Sequence, residues 1–304
     1  MASGIPEADL RSFREHLGKS KRILALVGAG LSAASGLPTF RGVGGLWRSH
    51  RAPDLATPEA FSVDPGLVWQ FYSYRRHMSL VAHPNKGHYA LAALARKIPE
   101  FWTLTQNVDG LSERADHPEA QLHRLHGSLF TVKCSSEYCN YSRNNDYQDP
   151  LRITPAKKPP KLSTQPWMKK SSDAKDLDIS DASVPIPHLS EGDLPHCPQC
   201  GTALLRPGVV WFGEILPEDT LDSVERFLNE GPVDLVLVIG TSAQVFPAAG
   251  YVEQGKKRGA RVAVINMDAS HIPWSGLDKD MDWLFQGDAS VILPEILKDV
   301  IGDI

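Results

Sequence analysis

Hydrophobic positions along the 304-residue chain fall into two recurring patterns. Short runs that are apolar at nearly every position occur at Ile23–Val27, Phe101–Thr105, Val233–Ile239 and Arg261–Ile265, the first ending at Gly28-Ala29-Gly30. Strands apolar on both faces belong in a parallel sheet covered by helices on each side. Between the runs the spacing turns helical. Leu10, Phe13 and Leu17, three and four residues apart, predict a leading helix over Glu7–Leu17. Further helices are predicted at Pro65–Val81, behind the N-cap candidate Asp64, and at Gly87–Lys97, Pro217–Asn229 and Pro247–Lys257. This alternation predicts an α/β fold, a Rossmann-like parallel sheet with helices on both faces.

From about residue 141 to about 195 neither pattern holds. The stretch Pro150–Asp181 is dense in Lys, Pro, Ser and Asp without an apolar period, which predicts a mobile polar insertion. All four cysteines flank it, Cys134 and Cys139 before, Cys197 and Cys200 after. The expected organisation is a discontinuous large domain, residues 1–125 and 205–304. A small zinc module at 126–204 interrupts it and contains the insertion at about 141–195.

Composition narrows the class. Hydrophobic residues at 42% and charged residues at 22% fit an ordinary globular protein, and no run approaches the length of a membrane span. A net charge of -4 gives no electrostatic footprint for nucleic acid. The first residues lack the basic-then-apolar order of a secretory signal, and Glu7, Asp9 and Glu15 do not suit a transit peptide. The expectation is a monomeric intracellular protein, with mitochondrion, cytosol and nucleus left open.

Five constellations carry candidate chemistry. Gly28-Ala29-Gly30-Leu31-Ser32-Ala33 follows a strand and fits G-x-G-x-x-A, a turn whose amides approach a pyrophosphate; the alternative is a Gly-rich turn with no ligand. The acidic residue some 20 positions on that ordinarily reads the ribose is missing, which weakens a dehydrogenase. Cys134-x4-Cys139 with Cys197-Pro-Gln-Cys200 offers four sulfurs to a tetrahedral Zn²⁺; four thiolates leave no open position, so the ion would be structural. Two local disulfides or a redox pair are the competing readings, disfavoured in a reducing compartment. Gln106, Asn107 and Asp109 stand at the end of a strand, where open α/β sheets bind ligands, or else Asn107 or Asp109 caps a helix. His126, ending a strand-like run, is a general-base candidate or a structural histidine. In the helix after Asp64, Leu67, Phe71, Tyr74 and Met78 form an apolar stripe with Val68, Tyr72 and Arg75 on its flank. A phenol beside a guanidinium suits a carboxylate; a solvated charged edge is the alternative.

Together these residues resemble the sirtuin family of NAD-dependent protein deacylases. The resemblance rests on Gly28-Ala29-Gly30-Leu31-Ser32, Pro38-Thr39-Phe40-Arg41, Thr105-Gln106-Asn107-Val108-Asp109, His126-Gly127, the four cysteines, Val209-Val210-Trp211-Phe212-Gly213-Glu214 and Gly240-Thr241-Ser242. Their order and spacing match over about residues 21–297, although Thr39 stands where many members carry Asp. The resemblance implies that NAD is held by Gly28, Ala29, Gly30, Ser32, Phe40 and Arg41, by Gln106, Asn107 and Asp109 at the nicotinamide, and by Gly240, Thr241, Ser242 and Asn266 at the adenosine half. His126 becomes the base that takes a proton from a ribose hydroxyl. Val209, Trp211, Phe212 and Gly213 would touch an acylated protein or peptide, whose acyl-lysine enters a tunnel between the two domains, and one structural zinc would sit on the cysteines. The products implied are nicotinamide and O-acyl-ADP-ribose.

Within the family, Tyr72-Ser73-Tyr74-Arg75 resembles the Tyr-x-x-Arg of class III members, which remove succinyl, malonyl and glutaryl groups, and the small Ala52 and Ala56 would leave space for the longer acid. The alternatives are a plain deacetylase or mono-ADP-ribosyltransferase of the same family, an NAD-linked oxidoreductase, and an idle binding module. The presence of His126 speaks against the last.

Overall fold

A computed structural model describes residues 5–39, 45–148 and 179–304. Two compact units divide the chain, one of residues 1–37, 83–127 and 215–304, the other of 38–82 and 128–214. This division differs from the sequence expectation, because the segment 38–82, with its long helix Pro65–Val81, groups with the cysteine-bearing residues.

The large unit is built on six parallel strands in the order Trp283–Gln286, Arg261–Asn266, Leu235–Ile239, Arg22–Val27, Glu100–Thr105 and Leu122–Arg124. From the central Arg22–Val27 the chain winds outward one way through Glu100–Thr105 and the other way through Leu235–Ile239. The switch point therefore lies between Arg22–Val27 and Leu235–Ile239, where such sheets open a ligand crevice at their C-terminal ends. Alternation along the central strand sends Ile23, Ala25 and Val27 into one core with Phe13 and Leu17 of the leading helix, Leu91 and Leu94 of Lys86–Lys97, and Ile292 and Ile296 of Ala289–Ile301. On the opposite face, where Leu24 pairs with Val236 and Trp102, Gly255 of the Gly250–Lys257 helix rests directly on Val236. Phe227 of Glu218–Asn229 stacks on Trp102. Helices thus cover both faces, as the apolar runs require. The periodicity did not reveal the last strand and helix. Trp283–Gln286 is a four-residue edge strand, and Pro294 lies inside the final helix, where it reads as a breaker.

In the small unit the Pro65–Val81 helix starts as expected, with Asp64 Oδ1 accepting the Leu67 N–H at 2.8 Å. Its burial departs from the predicted stripe. Leu67 and Tyr74 are only half-buried, whereas Tyr72, placed on the flank, is completely buried, and Gln70, Ser73 and Arg76 are buried with it. Polar residues tolerate this because carbonyls meet them. Gln70 donates to Pro187 O at 2.7 Å, and Arg76 donates to Leu129 O at 2.7 Å and to the Asp146 and Gln148 carbonyls. A three-stranded sheet of Ser142–Arg143, Gly127–Cys134 and Leu205–Val209 lies beside it, tied by the Trp69 indole N–H on Leu205 O at 2.9 Å.

These contacts also limit the expected mobile insertion. The buried pair Arg76–Asp146, 3.0 Å apart, holds one end of the 141–195 segment. At the other end the Arg48 guanidinium donates to the carbonyls of Ile179, Asp181, Ala182 and Val184 at 2.8–3.1 Å. The centre of the predicted insertion, residues 149–178, lies outside the described residues.

Candidate active site

At the switch point the turns that follow two neighbouring strands interlock. Gly28 N–H donates to Ile239 O at 2.9 Å and Gly30 N–H to Gly240 O at 2.8 Å. A Cβ on Gly28 would lie 2.6 Å from Thr241 Cβ, one on Gly30 2.6 Å from Gly240 Cα, and one on Gly240, whose φ is +57°, 2.5 Å from Leu31 N. Close packing of the two turns thus already requires the glycines, and it keeps the backbone bare where the sheet opens.

Most of the other predicted large-unit residues are joined to these turns by hydrogen bonds. Asn107 Nδ2 donates to Gly28 O at 3.0 Å and reaches Ser32 Oγ at 3.3 Å. Ser32 Oγ donates to Asp109 Oδ2 at 2.7 Å, while Asp109 Oδ1 accepts the Leu111 N–H at 2.9 Å. Asp109 therefore serves the start of a short helix and the crevice at once. Gln106 Nε2 donates to Thr241 Oγ1 at 3.0 Å, and Asn266 Nδ2 to Thr241 O at 2.9 Å. Ala29 O accepts the Ser32 N–H, and Ser242 is half-buried in the Thr241 loop. Phe40 and Arg41 lie outside the described residues.

His126 follows the edge strand Leu122–Arg124, and its Nδ1 lies 3.1 Å from Gln106 O. A carbonyl only accepts, so Nδ1 carries the proton and Nε2 keeps its lone pair. Burial lowers the imidazole pKa from its ordinary value, against an opposing effect of the Gln106 carbonyl. The ring is thereby a neutral base at neutral pH, held at the ligand-binding end of the sheet.

Sequence reasoning missed His88. Its Nδ1 accepts the Asn85 N–H at 3.2 Å in a capping box, which puts the proton on Nε2, 3.4 Å from Ser32 Oγ. Burial pushes its pKa down to about 4. A neutral His88 aimed at Ser32 favours the direction Ser32→Asp109 for the hydroxyl proton. A lone histidine on an amphipathic helix carries no spacing signal, and only the fold brings it to Ser32.

In the small unit Tyr72 is fully buried and Arg75 half-buried on one helix, with the Arg75 charge close enough to act on the phenol. Ala52 and Ala56 are buried in the same unit, and Ala56 O accepts the Phe212 N–H at 2.9 Å. Val209 and Trp211 are buried, Phe212 is exposed, and Gly213 has φ +91°.

The four cysteine sulfurs all lie within 4.8 Å of one another, with Cys134–Cys200 at 3.8 Å and Cys139–Cys197 at 3.7 Å. These separations are far too long for disulfides. Four sulfurs arranged tetrahedrally about 2.3 Å from a Zn²⁺ would lie about 3.8 Å apart, so the cluster fits a structural zinc.

Comparison with known proteins agrees with this geometry. The profile described as the Sir2 family matches residues 28–247. The chain belongs to the Sir2 family. An NAD-dependent protein deacylase of Candida albicans is 49% identical over 304 residues, covering 97% of this chain and 99% of that protein. The mitochondrial NAD-dependent protein deacylase sirtuin-5 of Danio rerio is 39% identical over 297 residues, covering 96% and 88%. Among solved structures, a Sir2 homolog–NAD complex is 36% identical with a TM-score of 0.70, covering 97% of this chain and 94% of that one. The sirtuin resemblance, the Rossmann-like fold and the cysteine cluster are thereby borne out.

Proposed function

We propose that this sirtuin is an NAD-dependent protein-lysine deacylase that favours succinyl, malonyl and glutaryl over acetyl groups. The observation that carries the deacylase reading is His126, neutral, with Nδ1 on Gln106 O and with no hydrogen-bond partner for Nε2 among the described residues. NAD is the co-substrate. The Gly28–Gly30 and Gly240 turns supply bare backbone for its phosphates with Ser32 joined to them, the family resemblance adds Phe40 and Arg41 to the NAD-binding residues, and Thr241, Ser242 and Asn266 take the adenosine half. Gln106, Asn107 and Asp109 hold the nicotinamide end. An acyl oxygen attacks the anomeric carbon as nicotinamide departs; His126 Nε2 takes the ribose hydroxyl proton, and that oxygen attacks the acyl carbon. Water then releases lysine and O-acyl-ADP-ribose. A zinc ion on Cys134, Cys139, Cys197 and Cys200 would supply no step and would hold the small unit together.

The preference for acidic acyl groups rests on Tyr72 and Arg75, which offer a charge-assisted site to a distal carboxylate, with Val209, Trp211, Phe212 and Gly213 on the peptide side. Incubation with NAD and matched acetyl, malonyl, succinyl and glutaryl peptides, followed by mass analysis, tests both parts. Expected are free nicotinamide, O-acyl-ADP-ribose and faster loss of the acidic acyl groups. Reduced nicotinamide would overturn the deacylase reading, as would ADP-ribose transferred to protein without deacylation. Faster acetyl removal would overturn the preference.

A further inference from the structure

The Tyr72 phenol is fully buried and has one hydrogen bond, the Trp211 indole Nε1–H at 3.0 Å. An indole N–H only donates, so the phenol oxygen is the acceptor, and its own hydrogen meets no acceptor among the described residues. A buried hydroxyl hydrogen without a partner is costly and points to an acceptor that arrives with a ligand.

Trp211 is itself rigidly held. Its backbone N–H donates to Glu214 Oε2 at 2.8 Å, and the same carboxylate takes both arms of Arg206 at 2.5 and 3.0 Å. The Arg206 guanidinium lies over the indole, 3.3 Å from the ring centroid, and the Phe61 ring packs at 5.3 Å. The indole N–H therefore has a fixed direction, and Tyr72, against Phe71 at 4.9 Å, meets it.

We infer that Trp211 is a positioning residue for acyl specificity: its N–H occupies an acceptor lobe of Tyr72 and leaves the phenolic hydrogen for an acyl carboxylate beside Arg75. This rests on the acid-acyl reading above and deepens it. Burial raises the Tyr72 pKa to about 12 despite the neighbouring Arg75 charge, so the phenol keeps the required proton at neutral pH. Beyond its reacting carbonyl an acetyl group ends in a methyl, which offers this hydrogen no acceptor. The device therefore favours the acid and penalises its absence together.

The test compares Trp211→Phe, Tyr72→Phe and the double variant on succinyl and acetyl forms of one peptide. Trp211→Phe keeps an aromatic ring and removes the N–H. Its succinyl-to-acetyl ratio of kcat/KM should fall roughly fivefold to tenfold, mainly through a higher KM for succinyl peptide, with no further fall in the Tyr72→Phe background. An equal loss on both substrates, or additive losses in the double variant, would make Trp211 merely structural and overturn the inference. Should Trp211→Phe fold poorly, benzothienylalanine at position 211 keeps the fused ring without the N–H. The same fall in ratio supports the inference, and an unchanged ratio overturns it. If wild type shows no succinyl preference and Tyr72→Phe changes nothing, the acid-acyl reading falls and takes this one with it. A preference abolished by Tyr72→Phe but spared by Trp211→Phe overturns the Trp211 role alone.

Discussion

The Leu235–Ile239 strand of the large unit buries all five of its residues, whereas the Ser142–Arg143 strand of the small unit buries neither of its two. The contrast runs through both units. One continuous apolar core on the sheet holds the large unit, and burial of that kind is non-directional and spread over many side chains. The small unit relies more on directional ties: four sulfurs in one cluster, Arg76 buried on Asp146 and three carbonyls, and Arg48 on four carbonyls. Truncating one apolar side chain removes its burial and opens a cavity but leaves no group unpaired, whereas a directional tie fails when one partner goes, because the other loses its compensation.

Metal removal should produce the largest effect. Structural zinc contributes on the order of 10 kcal/mol of binding energy that is also folding energy. A strong chelator, or Cys197→Ser, is expected to abolish hydrogen-exchange protection in Gly127–Cys134 and Leu205–Val209 and to spare Arg22–Val27 and Leu235–Ile239. Equal loss of protection in both units would erase the contrast.

His126→Ala addresses the large unit's chemistry without emptying its core. Turnover is expected to fall about 10²–10⁴-fold, the range for a lost general base, with little change in melting temperature or NAD affinity. Near-normal turnover would remove His126 from the reaction.

Arg76→Met takes the partner from Asp146 Oδ1, leaves that buried carboxylate to Arg143 alone and strips the donor from three carbonyls, and a loss of about 3–5 kcal/mol is expected for breaking such a pair together with its carbonyl bonds. Chemical denaturation measures it. A loss under about 1 kcal/mol would place this pair with ordinary exposed ion pairs and weaken the claim that directional ties carry the small unit.

The large unit has its own weak point in His88. With a folded pKa near 4 against an ordinary value of 6.5, its buried neutral ring stabilises the fold fully above pH 6.5. That contribution, on the order of 3 kcal/mol, is lost as pH falls from 6.5 toward 4, because the unfolded chain takes up the proton first. His88→Gln should flatten stability over that window, and an unchanged slope would show that other groups set it.

Arg75→Met is expected to have the smallest effect and the most selective. Removing a hydrogen bond to a charged group costs about 1.5–3 kcal/mol, or roughly tenfold to a hundredfold in kcat/KM for succinyl peptide. Deacetylation should fall far less. Parallel losses on both peptides would make Arg75 a structural residue of its helix.

Sequence by itself determined the Rossmann-like sheet, because strands buried on both faces must be written as apolar runs and the helices between them need a 3.6-residue period. It also determined the zinc site, since four thiols in two close pairs are a local pattern, and it pointed to the loop residues at the strand ends. Tertiary structure alone decided which of them meet. The glycines of the first turn prove to be required by a second turn more than 200 residues away, a close approach that no local spacing encodes. His88 reaches Ser32, Trp211 reaches Tyr72 and Arg76 reaches Asp146 only through the fold. A polar side chain's partner is fixed by direction and distance in three dimensions, whereas an apolar side chain needs only the right face of its own element. Hydrophobic order is therefore legible along the chain, and the hydrogen-bonded machinery becomes legible only once the chain is folded.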